Sequence, residues 1–426
     1  MPKLAATVRE AERYLLNTYK RPPIVFTHGR GCTVYDARGK RYLDFLGGIA
    51  VSALGHAHPR LLRVVRGQAA RAIHFSNLYH HPYQAPLARK LAEWSGMDRV
   101  FFTNSGAEAV EGALKLSRLV ARKRAAEAGW SSPKTDILAL EESFHGRTFG
   151  ALSVTATAKY RDPFTPLVPG VDFVRFNDVA DLEAKFGAGV GTIILEPVQG
   201  ESGIHPLSEA FWKRACQLAS ERGAVVIADE VQCGLGRTGR YFAYQKFAAK
   251  PDIVVVAKPL AGGVPLGAVL TTEEVASTIS PGLHGTTFGG GPLACAVALE
   301  FLNTVDEEGL LENVRARGAQ LREGLEALKK KISFIGEIRG EGLMIGIDLA
   351  VEGGPYVTEA LKRGLLMNCT HDYTLRLLPP FVITAAQVRK FLKLFETVLA
   401  KTPRVVPEPA PAHAVGRPLE HRAAAR

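Results

Sequence analysis

A lysine ends a short, continuous apolar run, Ile253-Val254-Val255-Val256-Ala257-Lys258, and is followed by Pro259-Leu260-Ala261-Gly262-Gly263. Such a run reads as a buried strand. Desolvation at its end drives an amine toward the neutral form, and a neutral lysine can add to a carbonyl to form a Schiff base. A lysine that lays its stem along the protein and keeps its head in water fits the same segment. A second run, Val225-Val226-Ile227-Ala228, ends on Asp229. That carboxylate either caps the following turn or, facing the same crevice as Lys258, holds a ring nitrogen protonated. Thr103-Asn104-Ser105-Gly106-Ala107-Glu108 follows Val100-Phe101-Phe102 and opens a helical pattern. Small residues at a helix N-terminus admit an anion such as phosphate, although they are also ordinary capping residues. Ser143-Phe144-His145-Gly146-Arg147-Thr148 offers an aromatic plane at Phe144 and a guanidinium at Arg147. Phe144 could stack on a flat ring and Arg147 could fork onto a carboxylate. His145 alone reads as a packed residue.

These segments must be brought together by the elements around them. Seven short apolar runs recur, at 100–102, 137–140, 171–174, 192–195, 225–228, 253–256 and 267–270, alternating with helical patterns that include 59–72, 83–95 and 107–128. Continuous apolar strands between helices predict an α/β domain with a mostly parallel seven-stranded sheet covered on both faces. Ligands of such sheets bind beyond the carboxyl ends of the strands, where all four segments fall. Helices are expected at 292–305 and 307–331, then strands at 344–348 and 375–378, as a smaller α+β domain. Runs 33–36 and 41–44 flank Ala37-Arg38-Gly39-Lys40 as a hairpin expected to pack with that smaller domain. A helix is expected from residue 1 to about 20. The division expected is 1–58, an N-terminal segment packing with the small domain; 59–295, the large domain; 296–403, the small domain; and 404–426, a Pro-, Ala- and Arg-rich disordered tail.

Composition sets the outer bounds. In 426 residues, 46% are apolar and 22% charged, which excludes a mainly disordered or fibrous chain. The net charge of +11 raises the question of a nucleic-acid partner, but no dense Lys/Arg run with interleaved aromatics supports one. A basic enzyme attracting anionic substrates accounts for the charge. Five scattered cysteines form no ligand-spaced pair, so neither structural zinc nor a disulfide framework is expected, and a reducing compartment fits. No unbroken apolar stretch reaches the length of a membrane span.

A phosphate cradle, an aromatic plate, a carboxylate and a Schiff-base lysine together match the needs of pyridoxal 5'-phosphate. Over roughly residues 10–400 the chain resembles the class III (ornithine-type) aminotransferases, pyridoxal-phosphate enzymes of fold type I, and within them the acetylornithine branch. The resemblance rests on Asn104-Ser105-Gly106-Ala107-Glu108-Ala109, Ser143-Phe144-His145-Gly146-Arg147-Thr148, Leu195-Glu196-Pro197-Val198-Gln199-Gly200-Glu201, the stretch from Asp229-Glu230-Val231-Gln232 to Gly239, His284-Gly285-Thr286-Thr287-Phe288-Gly289-Gly290, and Leu375-Arg376-Leu377-Leu378-Pro379-Pro380.

The resemblance implies roles. Lys258 carries the cofactor and shuttles a proton; Asp229 pairs with the ring nitrogen. Phe144 and Val231 sandwich the ring, and Gln232 approaches its hydroxyl. Gly106 and Ala107 bind phosphate through backbone N–H groups, helped by Ser105, with Thr287 reaching the phosphate of a neighbouring subunit. Arg147 holds a substrate carboxylate with Thr286 contributing across the interface, and Glu201 with Arg376 switches between substrates. The implied enzyme is a cytoplasmic homodimer with shared active sites. It would move the terminal amine of N-acetyl-L-ornithine to 2-oxoglutarate in arginine biosynthesis, with no metal, membrane or nucleic acid involved. Ornithine, succinylornithine, N-acetyl-lysine and 4-aminobutyrate stay open as donors. An aminomutase or racemase on the same scaffold is the rival from another class. Ser52, Ser202 and Gly291 depart from the residues usual in the family: Asn, Gly and Asn.

Overall fold

The computed structural model describes residues 2–403; the expected disordered tail lies outside the described residues. The seven apolar runs form one seven-stranded sheet. Its spatial order is Arg99–Thr103, Gly267–Thr271, Ile253–Val256, Val225–Asp229, Val190–Leu195, Asp136–Leu140, Val171–Val174. Gly267–Thr271 pairs antiparallel with both of its neighbours, and the remaining pairs are parallel.

The runs are apolar throughout because both sheet faces are covered. Successive strand side chains point to opposite faces. Val225 and Ile227 accordingly join the core beneath the helix Gly106–Ala128, whereas Val226 and Ala228 join the core beneath Glu209–Arg222. Ser105 caps the first of these helices by accepting from Glu108 N–H, and Gly129 ends it in a left-handed conformation.

The hairpin pairs Thr33–Asp36 with Arg41–Asp44 around an Asp36 carboxylate that accepts from Arg38 and Lys40 N–H at 2.9 Å each. Arg41–Asp44 also pairs in parallel with Leu365–Leu366, which links the N-terminal segment to the C-terminal part of the chain. A separate antiparallel sheet orders Ile335–Glu341, Met344–Leu349, Thr374–Leu377 and Asn368–Thr370. The N-terminal helix is shorter than expected, Pro2–Tyr14. Beyond it Leu15, Leu16 and Tyr19 are exposed, so among the described residues these side chains gain no burial that would favour continuing the helix.

Candidate active site

Four of the parallel strands deliver their carboxyl ends to one cavity of about 430 Å³, lined by Lys258, Asp229, Glu196, Phe144, Val231 and the 104–107 segment among others. Lys258 follows Ile253–Val256 and adopts φ +34 just before a proline, a backbone conformation that a non-glycine residue rarely takes. Strain of this kind persists where the surrounding structure enforces it, and here it sets the lysine at the cavity floor. Desolvation lowers the Lys258 pKa; Glu201 and Asp229 oppose that shift, and Arg376 adds to it.

Asp229 is 4% exposed and ends its strand with both oxygens occupied. Oδ1 accepts from Val231 N–H at 3.0 Å, and Oδ2 lies 2.7 Å from His145 Nδ1. An ionised carboxylate only accepts, so Nδ1 carries the proton in that bond. Nε2 of His145 is buried with no hydrogen-bond partner among the described residues. His145 therefore holds Asp229 in place, a role beyond what its sequence position reveals.

The start of the helix Gly106–Ala128 also lines the cavity. The N–H groups of Gly106 and Ala107 belong to its first turn, where no intrahelical acceptor exists. A Cβ at Gly106 would lie 2.8 Å from Val231 Cγ1, so only glycine lets this helix start and the Val231 side chain share the space. Ser105 accepts from Glu108 N–H at 3.2 Å and keeps its own O–H as a donor. These residues fit pyridoxal phosphate: an amine for its aldehyde, a carboxylate for its ring nitrogen, Phe144 and Val231 at the cavity wall for its ring, and a helix N-terminus for its phosphate.

Arg376, on Thr374–Leu377 of the antiparallel sheet, does not line this cavity, and neither does Glu201; the pair lies beside it, joined to the cavity wall through Gln232. Arg376 is 1% exposed. Its Nη1 donates to Glu201 Oε1 at 2.6 Å, Gly200 O at 3.0 Å and Gln232 Oε1 at 3.1 Å, and its Nε donates to Asn368 Oδ1 at 3.2 Å. Gln232 Nε2 donates in turn to Glu201 Oε1 at 3.1 Å, so Gln232 belongs to this ion-pair cluster as well as to the cavity wall. Burial raises the Glu201 pKa, but the Arg376 charge and hydrogen bond, with Lys258 and Gln232, outweigh it and leave the carboxyl lowered. Ser202 is buried and donates to Gln199 Oε1 at 3.1 Å, a tether that glycine would lack.

Arg147 is exposed at the cavity mouth, its guanidinium 3.6 Å from the Tyr160 ring centroid and 5.3 Å from that of Phe144. Thr286 and Thr287 are not brought to the cavity within this chain. Thr286 lines a second cavity of about 400 Å³ and accepts from Asn104 Nδ2 at 3.0 Å, whereas Thr287 is exposed. Ser52 O accepts from Gly55 N–H at 2.9 Å, and Gly291 begins the helix Pro292–Glu307 without a side-chain cap.

Glu196 also lines the cavity, 5% exposed, and no sequence signal assigned it a role. Its Oε1 accepts from Phe144 N–H at 2.9 Å and its Oε2 from Gly200 N–H at 3.1 Å. Burial pushes its carboxyl up to about 7; the neighbouring His145 and the two N–H bonds pull it down, and Asp229 raises it further.

Comparison with known proteins agrees with this geometry. The chain matches the aminotransferase class-III family over residues 14–399. It is 43% identical over 390 residues to an acetylornithine aminotransferase of Methanocaldococcus jannaschii, covering 92% of this chain and 97% of the relative. It is 42% identical over 388 residues to an acetylornithine aminotransferase of Aquifex aeolicus, covering 91% and 100%. An ornithine aminotransferase structure from Toxoplasma gondii, described with partial occupancy of pyridoxal phosphate at its active site, superposes with a TM-score of 0.89 at 32% identity, covering 94% of each chain. The cavity residues, the fold and these relatives converge: this chain belongs to the class III aminotransferases, and its cofactor is pyridoxal 5'-phosphate.

Proposed function

We propose that this aminotransferase moves the terminal amino group of N-acetyl-L-ornithine to 2-oxoglutarate, giving N-acetyl-L-glutamate 5-semialdehyde and L-glutamate, as a step of arginine biosynthesis. The observation that carries this reading is the Arg376 guanidinium, buried beside the cavity and covered by Glu201 at 2.6 Å. A donor that reacts through its terminal amine has no carboxylate beside the reacting carbon. The acceptor 2-oxoglutarate has one. Glu201 covers Arg376 in the first case and releases it in the second, when the incoming carboxylate takes the fork. Arg147 at the mouth holds the far carboxylate of either substrate. The acetylornithine aminotransferases among the relatives support the choice of donor.

When bound, pyridoxal phosphate supplies an electron sink for the carbon bearing the amine. This chain's residues do the rest. Lys258 would hold the cofactor through its Nζ amine and, from a site that lowers its basicity, would carry the proton leaving the substrate carbon. Asp229, steadied by His145, keeps the ring nitrogen protonated. Phe144 and Val231 confine the ring, Gln232 serves its hydroxyl, and Gly106, Ala107 and Ser105 grip the phosphate. Thr287 and Thr286 complete the site of a second copy in a homodimer, which suits their place on an exposed loop beside a 66%-exposed Phe288. In domain terms, residues 1–58 and 296–403 form the small unit and 59–295 the large one, with Pro292–Glu307 crossing the border. Five free thiols suit the cytoplasm, and among the described residues no helix is long and apolar enough to cross a membrane.

A donor panel with 2-oxoglutarate, following glutamate formation, tests the proposal. N-acetylornithine should give the highest kcat/KM. A higher value for ornithine or 4-aminobutyrate would replace the donor, and turnover without any keto acid would replace the reaction class.

A further inference from the structure

Glu196 is a buried carboxylate that lines the cavity and has no task in the mechanism. It follows Val190–Leu195 and faces two segments that arrive from different strand ends. One contains Phe144, at the wall that confines the ring. The other contains Gly200, immediately before Glu201. One carboxylate oxygen accepts from each backbone N–H, at 2.9 and 3.1 Å. A carboxylate offers two acceptor oxygens at a fixed separation, whereas a carboxamide keeps only one.

The Gly200 peptide is gripped on both sides. Its N–H is held by Glu196, and its carbonyl accepts from Arg376 Nη1 at 3.0 Å. A Cβ on Gly200 would meet the Gln232 amide at 2.3 Å, so the segment lies flat against the same cluster that holds Glu201. Movement of Glu201 away from Arg376 therefore works on the adjoining Gly200 peptide, which Glu196 ties to the loop of Phe144. We infer that Glu196 is a positioning residue that joins the ring wall and the Glu201–Arg376 gate into one mechanical unit. Opening of the gate for the dicarboxylate then changes how firmly the ring is held, and a well-seated ring favours the closed gate.

This inference rests on the gate reading of Glu201. Its test is a double-mutant cycle on the holoenzyme with Glu196→Gln, Glu201→Ala and the pair. The readouts are the ratio of glutamate to N-acetylornithine kcat/KM in single-turnover half-reactions and the visible circular dichroism of the bound cofactor. Loss of one of the two bonds that tie the segments together should shift the ratio roughly fivefold in Glu196→Gln. The shift should vanish in the Glu201→Ala background, and the dichroism of Glu196→Gln should change. An equal shift in both backgrounds, or none, while Glu201→Ala alone alters the ratio, would overturn the inference and leave the gate intact. If Glu201→Ala leaves the ratio unchanged, the gate reading falls by itself. Dichroism then decides for the ring wall alone, and unchanged dichroism overturns the inference in every case. Should Glu196→Gln fail to fold, Glu196→Asp takes its place, because it keeps the charge but is too short to span both N–H groups.

Discussion

Glu201→Ala is the perturbation that most directly separates a gate from a fixed ion pair. In the parent, the α-carboxylate of glutamate reaches Arg376 only by displacing Glu201 from a 2.6 Å contact. A hydrogen bond to a charged group contributes about 1.5–3 kcal/mol. The Glu201 side chain is 32% exposed, so solvent screening places the value at the low end. About 1.4 kcal/mol corresponds to a tenfold change. The ratio of glutamate to N-acetylornithine kcat/KM should therefore rise roughly tenfold. The rise should come mostly from the glutamate half-reaction, since N-acetylornithine never competes with Glu201 for Arg376. The guanidinium does not become an orphan in the variant, because Gly200, Gln232 and Asn368 still accept from it. Global stability should accordingly fall little, which keeps the kinetic effect readable. Stopped-flow single turnovers with each amino donor, read through the cofactor's absorbance, isolate the halves. A ratio that stays within twofold of the parent, or an equal fall in both halves with a large loss of stability, would mean that Glu201 and Arg376 form a permanent structural pair.

Asp229→Asn is nearly isosteric but removes the charge proposed to face the ring nitrogen, and kcat should fall on the order of 10²-fold or more, about 3 kcal/mol of barrier; a near-normal kcat would reject the assignment. Lys258→Ala and Thr287→Val, if each is inactive alone, should partly complement in mixed dimers because each site would be shared, and verified mixed dimers without activity would reject sharing. Burial pushes the Glu230 carboxyl up to about 7 against N–H bonds from Ala243 and Tyr244, so between the ordinary 4.5 and about 7 the folded chain holds a proton that the unfolded chain has lost. Its contribution to stability then falls as pH rises through that window. Measured by denaturant titration across that window, the stability of Glu230→Gln relative to the parent should improve by about 3 kcal/mol, and a pH-independent difference would refute the cause.

The sheet was legible because its strands are buried on both faces and so lose the alternation that half-exposed strands show. The direction of Gly267–Thr271 was not drawn from the same pattern, since apolar content carries no polarity. The short stretch at 257–266 does hold the clue, being too short for a helical crossover of the kind that joins parallel neighbours. The N-terminal helix was overextended for a related reason. Leu15 and Leu16 continue an apolar pattern, but among the described residues they stay exposed.

In the site, residues whose chemistry follows from their own strand or helix end were legible, and residues defined by a distant partner were not. Lys258, Asp229 and the 105–107 turn announce themselves, each at the carboxyl end of a buried strand. His145 does not, because its meaning is a 2.7 Å contact with a carboxylate 84 residues away. Glu196 meets Phe144 across 52 residues, and Arg376 meets Glu201 across 175. Glu201 and Arg376 were found through resemblance alone, and resemblance conveyed the pair without its supports. Those supports explain why the pair can work as a switch. Arg376 is held by three neutral acceptors besides Glu201, so the guanidinium keeps its place when the carboxylate leaves. Glu201 is the partly exposed member and the one that can swing. In the proposed switch, the fixed cation and the mobile anion would select between substrates by offering or withdrawing one positive charge, while Arg376 keeps its place on its neutral acceptors.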